Sequence, residues 1–338
     1  MFMRAWRGKP QDAMKFPRRQ FLHMAAGVVA LPALSRIARA QAYPTRSVRL
    51  VVGFPPGQTA DLIARLMGQW LSERLGQPVV IDNRPGASSN IATESVVRSP
   101  ADGYTLLSVN SSNLINATLY EKLPYNFLRD IDPIASFCRV PLVMEVNPSF
   151  PARTVLEFIA YAKANPGTIN MASGGIGNST HVTGELFKMM AGVNLLHVPY
   201  RGSPPALTDL IGGRVQVMFD VLSSSVEHIR SGRLRALAVT TATRSEALPG
   251  IPTIGEFVPG YEASALAGIG APKGTPAEII DKLNREINAG LADPNIKARF
   301  ADLGLTPLSL SAADFAKLVV DETDKWAGVV KFANIKAE

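Results

Sequence analysis

The fold is decided within residues 48–76, VRLVVGFPPGQTADLIARLMGQWLSERLG. The first five residues are mostly apolar and β-branched, which is typical of a buried strand. From residue 59 onward, apolar side chains recur every three or four residues, as on one face of a helix. Gly76 is expected to end this helix. A strand, a loop and an amphipathic helix in this order form the repeating unit of parallel α/β sheets.

The same alternation continues almost to the C-terminus. Further strands are predicted at 79–81, 104–109, 142–146, 169–172, 195–198, 215–219 and 234–240. Thr154 with Glu157, and Thr275 with Glu278, have the spacing of capping boxes that open helices. Two more helices are predicted around 293–303 and 312–334. The chain is therefore predicted to be an α/β protein built around a parallel sheet.

The first 42 residues have the organisation of a secretory signal peptide. A basic segment ends in Arg18-Arg19, and an apolar run over 24–37 follows that is too short to span a bilayer. Small residues give cleavage sites near Ala40 or Ala42. The paired arginines favour the twin-arginine route. An amphipathic helix of a cytosolic protein is the alternative, but the pattern favours export, so we expect a periplasmic protein.

Removing this segment also removes the net charge. The whole chain has 35 Lys and Arg against 28 Asp and Glu, and residues 1–42 hold eight of the basic and one of the acidic side chains. The remaining 296 residues therefore carry 27 of each sign, and they are enough for two domains of ordinary size. The basic pI of the whole chain therefore gives no support for nucleic-acid binding, which would need a basic face on the folded domain. We expect no nucleic-acid partner.

Signatures of enzymes and metal sites are missing from the sequence. It has no Walker A motif, no H-E-x-x-H and no G-x-S-x-G. The histidines after residue 42, His181, His197 and His228, do not have the spacing of metal ligands. Cys138 is the only cysteine, and its apolar neighbours indicate a small buried hydrophobe. We expect no metal, no cofactor and no catalytic residues.

Two loops that run from a strand into a helix are the strongest candidates for a ligand site. They are residues 54–61, FPPGQTAD, and residues 173–181, SGGIGNSTH. Ligands of open α/β sheets bind at the carboxyl ends of strands, where helix N-termini offer unpaired N–H groups and a partial positive charge. Two such loops suit a small anion that is held from two sides. Each loop also fits an ordinary helix cap with a tight turn.

Three polar side chains near these loops have two interpretations each. His181 either faces the ligand or packs locally at the helix start. Arg201 either pairs with a phosphate or carboxylate, or is an ordinary surface guanidinium. Asp220 ends a predicted strand, and it either orients a ligand amine or a bound water, or caps the helix that follows.

Blocks of sequence along the whole of residues 43–338 resemble one protein family. The matching blocks are Phe54-Pro55-Pro56-Gly57 with Asp61, Asn83-Arg84-Pro85-Gly86-Ala87, Ala101-Asp102-Gly103-Tyr104, His197-Val198-Pro199-Tyr200-Arg201-Gly202, Leu248-Pro249-Gly250-Ile251-Pro252-Thr253 and Gly270-Ala271-Pro272-Lys273-Gly274-Thr275-Pro276. On these residues the chain is identified as a member of the periplasmic receptors of tripartite tricarboxylate transporters, also called Bug-type receptors. Gln58 stands where the family usually has a second glycine, and Ser88-Ser89 replaces a glycine pair.

The resemblance implies a type II periplasmic-binding-protein fold, in which a ligand crevice lies between two α/β lobes. Lobe one would be residues 43–142 plus 268–338, and lobe two residues 143–267. The implied ligand-binding residues of lobe one are Phe54, Gly57, Gln58, Thr59, Ala60, Asp61, Ser108 and Asn110. Those of lobe two are Ser173, Gly177, Asn178, Ser179, Thr180, His181, Arg201, Gly202 and Asp220.

The resemblance also implies a function. The chain would be a monomeric solute-binding receptor that captures a small carboxylate, such as a dicarboxylate or an acidic amino acid, and delivers it to a permease of one large and one small membrane subunit. An exported dinucleotide-dependent oxidoreductase is an alternative suggested by Gly175-Ile176-Gly177, although the third glycine and the acid that binds a ribose are missing. A ligand sensor that feeds a signalling kinase would share all of these residues.

Overall fold

Ten β-strands and eleven α-helices alternate along residues 43–337, the part of the chain that the computed structural model describes. The strands are β1 (Val48–Val52), β2 (Val79–Asn83), β3 (Thr105–Asn110), β4 (Ile131–Val146), β5 (Asn170–Ser173), β6 (Leu196–Pro199), β7 (Val217–Val221), β8 (Arg235–Val239), β9 (Ser264–Pro272) and β10 (Thr306–Pro307). The helices are α1 (Thr59–Leu75), α2 (Asn90–Val97), α3 (Ser111–Leu119), α4 (Phe127–Asp130), α5 (Val155–Ala164), α6 (Ser179–Ala191), α7 (Ser203–Ile211), α8 (Leu222–Arg230), α9 (Ala277–Ala292), α10 (Pro294–Asp302) and α11 (Ala312–Phe332). The predicted signal peptide and its cleavage sites lie outside the described residues.

The strands form one mixed sheet in the order β2-β1-β3-β9-β4-β7-β5-β6, and β8 and β10 pair with β4 beside this path. Strands β1, β2 and β3 are parallel to one another, and so are β5, β6 and β7. The predicted parallel α/β arrangement is therefore confirmed for these six strands. Between the two parallel groups lie β4 and β9, which are antiparallel to their neighbours.

Strand β4 belongs to both halves of the sheet. Its residues 131–141 pair with β9, whereas residues 142–146 pair with β7 and β8. This change of partners between residues 141 and 142 lies one residue before the predicted lobe boundary. The division into lobes stays a prediction, and the chain from Arg46 onward forms one compact unit.

The core is continuous across the two halves of the sheet. Side chains of β1 and β3 are almost all buried, as expected for strands covered by helices on both faces. In one cluster, Trp326 and Val329 of α11 and Leu119 of α3 pack with Phe187 of α6 and Phe219 of β7. The C-terminal helix therefore packs against elements of both halves.

Local details correct two sequence predictions. The Thr154 hydroxyl accepts the hydrogen bond of the Glu157 amide, as predicted, but the Glu157 carboxylate accepts from the amide of Arg153. The box predicted at Thr275 is wrong, because its hydroxyl donates to the carbonyl of Pro272 and no side chain caps α9. Cys138 is fully buried, as predicted, and burial raises the pKa of its thiol. Within residues 43–337, no helix is long and apolar enough to cross a membrane.

Candidate functional site

All six parallel strands end at one large cavity. Its volume is about 1070 Å³, and residues that lie one or two positions after the ends of β1, β2, β3, β5, β6 and β7 line it. The N-terminal turns of α1, α3, α6, α7 and α8 therefore meet at its wall. One part of the wall is apolar and consists of Val140, Val221, Ala265, Leu266, Ala267 and Leu303. Helix N-termini carry partial positive charge, so their convergence favours an anion.

The first loop is braced from behind by Asp61. Its carboxylate is 1% exposed, and it accepts hydrogen bonds from the Gly57 amide at 2.8 Å, from Nε of Arg65 at 2.8 Å and from Nδ2 of Asn83 at 2.9 Å. Burial opposes ionisation, but the hydrogen bonds from Arg65, Gly57 and Asn83 outweigh it and lower the pKa of Asp61. Asp61 thus holds the loop and does not line the cavity.

Helix α1 begins directly at the cavity without a cap. Gln58 is its N-cap residue and its side chain makes no capping hydrogen bond. Gln58, Thr59 and Ala60 all line the cavity. The first amides of α1 therefore remain available to a ligand.

We expect Asp61→Ala to lower the free energy of unfolding by about 2 kcal/mol, because its buried carboxylate is the shared acceptor of three hydrogen bonds that hold the first loop. Chemical denaturation measures this change. Asp321→Ala is the matched control, since Asp321 forms an exposed pair with Lys317 on α11 and such pairs contribute little. Equal and small effects of the two substitutions would contradict the bracing role of Asp61.

The second loop is held by hydrogen bonds among its own residues. Oδ1 of Asn178 caps α6 by accepting from the His181 amide at 3.0 Å and from the Thr180 hydroxyl at 2.7 Å. The Thr180 oxygen in turn accepts from the Gly174 amide at 2.8 Å. Asn178, Ser179 and Thr180 line the cavity. The Thr180 proton is thus used within the loop, whereas the Ser179 hydroxyl makes no hydrogen bond within residues 43–337.

Two stacked histidines support the second loop from below. The rings of His181 and His197 lie 3.6 Å apart and almost parallel. The Gly177 amide donates to Nδ1 of His181 at 3.1 Å, and the Ser173 hydroxyl lies 2.6 Å from Nε2 of His197. Burial, and then the neighbouring His181, lowers the pKa of His197 to about 3, so this ring is neutral at physiological pH. Of the two interpretations of His181, the geometry supports local packing.

Arg201 is the one charged side chain among the described residues that line the cavity. It is exposed, and its guanidinium forms no ion pair or hydrogen bond within residues 43–337. The Gly202 amide donates to the Gly174 carbonyl at 3.0 Å, which ties this segment to the second loop. Gly202 has a φ of 103° as the N-cap residue of α7, a conformation that favours glycine. A guanidinium without an ion pair or hydrogen bond therefore lines the cavity at which five helix N-termini meet.

Asp220 lies behind the cavity wall and is fully buried. Its carboxylate accepts hydrogen bonds from the hydroxyls of Ser203 and Ser225. Val221 is the N-cap residue of α8, so the capping interpretation of Asp220 is wrong. Burial raises the pKa of Asp220 to about 6.

The structure brings most of the predicted site residues together and places the others behind them. At the cavity lie Phe54, Gly57, Gln58, Thr59, Ala60, Ser108, Asn110, Asn178, Ser179, Thr180, Arg201 and Gly202. Asp61, Ser173, Gly177, His181 and Asp220 do not line it.

Several serines at the cavity were missed by the sequence reasoning. They are Ser88, Ser89, Ser111, Ser112, Ser203, Ser223 and Ser224. Each lies where a strand passes into a helical turn. The rule that ligands bind at the carboxyl ends of strands therefore predicts these serines as well, once it is applied to every strand. Ser88 and Ser89 have φ values of 51° and 76°, a left-handed conformation that explains a glycine pair at these positions in related sequences.

The polar groups that line the cavity can mainly donate hydrogen bonds. The hydroxyls of Thr59, Ser88, Ser108, Ser112, Ser179, Ser223 and Ser224 make no hydrogen bond within residues 43–337, and no acidic side chain of that range lines the cavity. Together with Arg201 and the helix N-termini, they can surround an anion with donors.

Comparison with known proteins agrees with this geometry. The model of a family described as tripartite tricarboxylate transporter family receptor (TctC) matches residues 63–335. The chain is similar to the solved structure of R. palustris Rpa4515 with adipate, at 40% identity and a TM-score of 0.79, over 87% of this chain and 99% of that one. It is also similar to periplasmic binding protein BugD, at 34% identity and a TM-score of 0.75, over 88% of this chain and 100% of BugD.

A third similar structure is MatC (Rpa3494) from Rhodopseudomonas palustris with bound malate. Its identity is 30% and its TM-score 0.75, over 85% of this chain and 100% of MatC. The predicted fold class, an α/β periplasmic-binding-protein fold, is confirmed by these similarities.

Proposed function

Since the chain belongs to the tripartite tricarboxylate transporter family of periplasmic solute-binding receptors, we propose that it captures a small carboxylate in the cavity and delivers it to the membrane subunits of such a transporter. The observation that carries this proposal is the lining of the cavity, where Arg201 and uncommitted hydroxyls meet five helix N-termini. Two of the similar structures contain adipate and malate, and both acids support the same ligand class.

The two loops would bind the carboxylate from opposite sides. The open N-terminus of α1 offers amides from the first loop, and Ser179 offers a hydroxyl from the second. If the predicted lobes move about β4 and β9, closure brings both sets of donors onto one ligand, so ligand binding favours the closed state. Export to the periplasm, a monomeric state and delivery to a large and a small membrane subunit are parts of this proposal.

The glycines of the second loop argue against the oxidoreductase alternative. The Gly175 amide donates to the Ser173 hydroxyl at 3.2 Å, and the Gly177 amide donates to His181. A dinucleotide site needs such amides free for the pyrophosphate. These two amides are instead used to build the loop.

A thermal-shift screen of residues 43–338 tests the proposed function. The panel contains mono- and dicarboxylates, aromatic acids, acidic amino acids and, for contrast, NAD and NADP. A ligand at 100 times its Kd adds about 2.7 kcal/mol to the free energy of unfolding, which corresponds to a rise in Tm of a few degrees. We expect such a rise with one class of carboxylate. A shift with a dinucleotide alone, or with no acid, would contradict the proposal.

Delivery needs a separate measurement. Proteoliposomes that contain the large and small membrane subunits should take up the identified acid only when this chain is added. Uptake that is unchanged without the chain would contradict the delivery step.

A further inference from the structure

Two fully buried carboxyl groups lie next to each other behind the cavity wall. Glu145 is on β4 and Asp220 is on β7, and both are 0% exposed. The Ser225 hydroxyl lies 2.7 Å from Oε1 of Glu145 and 3.2 Å from Oδ2 of Asp220. Neither carboxyl forms an ion pair within residues 43–337. The pair is therefore without a compensating cation.

The hydrogen bonds of Ser225 require a proton on one of the two carboxyls. A hydroxyl has a single hydrogen and donates to only one acceptor at a time. Its second contact is a hydrogen bond only if the other carboxyl is protonated and donates to the serine oxygen. Two adjacent buried carboxylates without a cation would also repel each other strongly in an environment of low polarity. The pair thus holds one shared proton.

The surroundings place that proton on Glu145. Asp220 accepts from the hydroxyls of Ser203 and Ser225 and from the Val221 amide, and these donors stabilise its anion. Glu145 has only Ser225, and its Oε2 atom has no partner. Burial, and then the charge of Asp220, raises the pKa of Glu145 well above its usual value.

The elements packed around the pair bring no further charge to it. Helix α7 contributes the Ser203 hydroxyl and α8 the Ser225 hydroxyl. Strand β8 places Ala236 opposite Glu145, and β4 places Val143 opposite Asp220. Because two hydroxyls and one amide stabilise the Asp220 anion, whereas Glu145 has only Ser225, Asp220 is the carboxyl that ionises first and the proton stays on Glu145.

Ser203 connects the carboxyl pair to the cavity, because it lines the cavity and donates a hydrogen bond to Asp220. Its one proton is given to the Asp220 carboxylate, so toward a ligand its oxygen can only accept. The hydroxyls of Ser179, Ser223 and Ser224 are uncommitted and free to donate. Ser203 therefore differs in hydrogen-bonding direction from these neighbours.

We propose that Ser203, oriented by the buried Asp220–Glu145 pair, is a specificity-determining acceptor that selects anions carrying a hydroxyl or ammonium donor beside their carboxylate. This inference rests on the proposed function and names the ligand group that the same site prefers. A carboxylate without such a donor would leave the Ser203 oxygen unpaired on ligand binding, which costs affinity.

Binding of matched acids tests the selectivity. The probes are succinate, malate and aspartate, and adipate with 2-aminoadipate, titrated calorimetrically at pH 7.5. We expect the wild-type protein to bind the donor-bearing acid of a set about tenfold or more tightly than the donor-free acid. Ser203→Ala should bring this ratio close to one. Asp220→Asn should bring the affinity ratio to one or reverse it. The asparagine side-chain amide can donate to the Ser203 oxygen, so the Ser203 proton can turn toward the ligand.

Ser224→Ala is the matched control, since it removes an uncommitted hydroxyl from the same cavity and should weaken both acids of a set alike. A wild-type ratio near one, or an unchanged ratio in Ser203→Ala, would overturn the selectivity. If Asp220→Asn does not fold, Ser203→Ala alone decides the result. Binding of no probe acid would overturn the selectivity, whereas the proposed function is decided separately by the thermal-shift screen.

A second measurement without any ligand tests the shared proton. At pH 7.5 the infrared spectrum should contain the carbonyl band of a buried, protonated carboxyl, and Glu145→Gln should remove it. Burial raises the pKa of Glu145 in the folded protein, so the stability that this one group contributes is present below about pH 4.5 and is lost as the pH rises. The Tm of Glu145→Gln relative to wild type should therefore increase from pH 5 to pH 8. A missing band or a constant difference in Tm would overturn the shared proton, whatever the ligand.

Discussion

Arg201→Ala is expected to weaken carboxylate binding by roughly tenfold to a hundredfold while leaving Tm unchanged. Hydrogen bonds to a charged group contribute about 1.5 to 3 kcal/mol, and Arg201 is the one charged side chain of the described residues at the cavity. It forms no ion pair or side-chain hydrogen bond within residues 43–337, so its removal costs the folded state little. Titration calorimetry with the acid found in the screen measures the affinity, and a thermal melt measures the stability.

Two further variants sharpen this experiment. Arg153→Ala is the matched control, because Arg153 is an exposed arginine of the same predicted lobe and does not line the cavity, and its loss should leave the affinity unchanged. Arg201→Lys keeps the charge but not the planar pair of donors, so it should recover only part of the affinity. Equal affinities of wild type and Arg201→Ala would refute a direct role of the guanidinium.

Gly53→Ala is expected to lower the free energy of unfolding by about 2 to 3 kcal/mol, the upper part of the usual range for overpacking. A Cβ atom at residue 53 would lie 1.9 Å from Oγ and 2.8 Å from Cα of Ser89. The contact with Cα involves backbone, so a change of side-chain rotamer cannot relieve it. Ser89 is itself held in place, since the Thr93 hydroxyl donates to its carbonyl at 2.9 Å.

The same substitution should also weaken ligand binding, because Gly53 and Ser89 both line the cavity and one must move. Gly250→Ala is the control, since no atom lies within 4 Å of a Cβ at that position. Chemical denaturation of the two variants gives the comparison. Similar free energies of unfolding for the two variants would contradict the expected clash with Ser89.

Strands and helices of this chain were predictable where a local pattern determined them. The apolar run of β1 and the helical spacing of α1 end at residues with clear stop signals, and both elements lie where they were predicted. The long strand β4 was predicted only from residue 142, although it begins at Ile131. Its first part contains Pro133 and Arg139, which weaken a strand pattern, and pairing with β9 supplies the order that local sequence does not.

The site was predictable as a set of loops but not as a set of contacts. Asp61 was expected at the ligand because it stands in the first loop, yet its carboxylate turns back to the amide of Gly57. The role of Asp220 depends on Ser203, Ser225 and Glu145, which three other elements bring together. No spacing along the chain reveals such a cluster, because it forms only when distant strands pair.

Strand β4 also bears on how the protein unfolds. One unbroken strand of 16 residues hydrogen-bonds with both halves of the sheet, and α11 packs into a core that the halves share. Loss of strand pairing in one half would disturb the other, so we expect global unfolding to be a single cooperative event. A ligand that contacts only the cavity should therefore protect slowly exchanging amides throughout the molecule, including those of helices that never touch it.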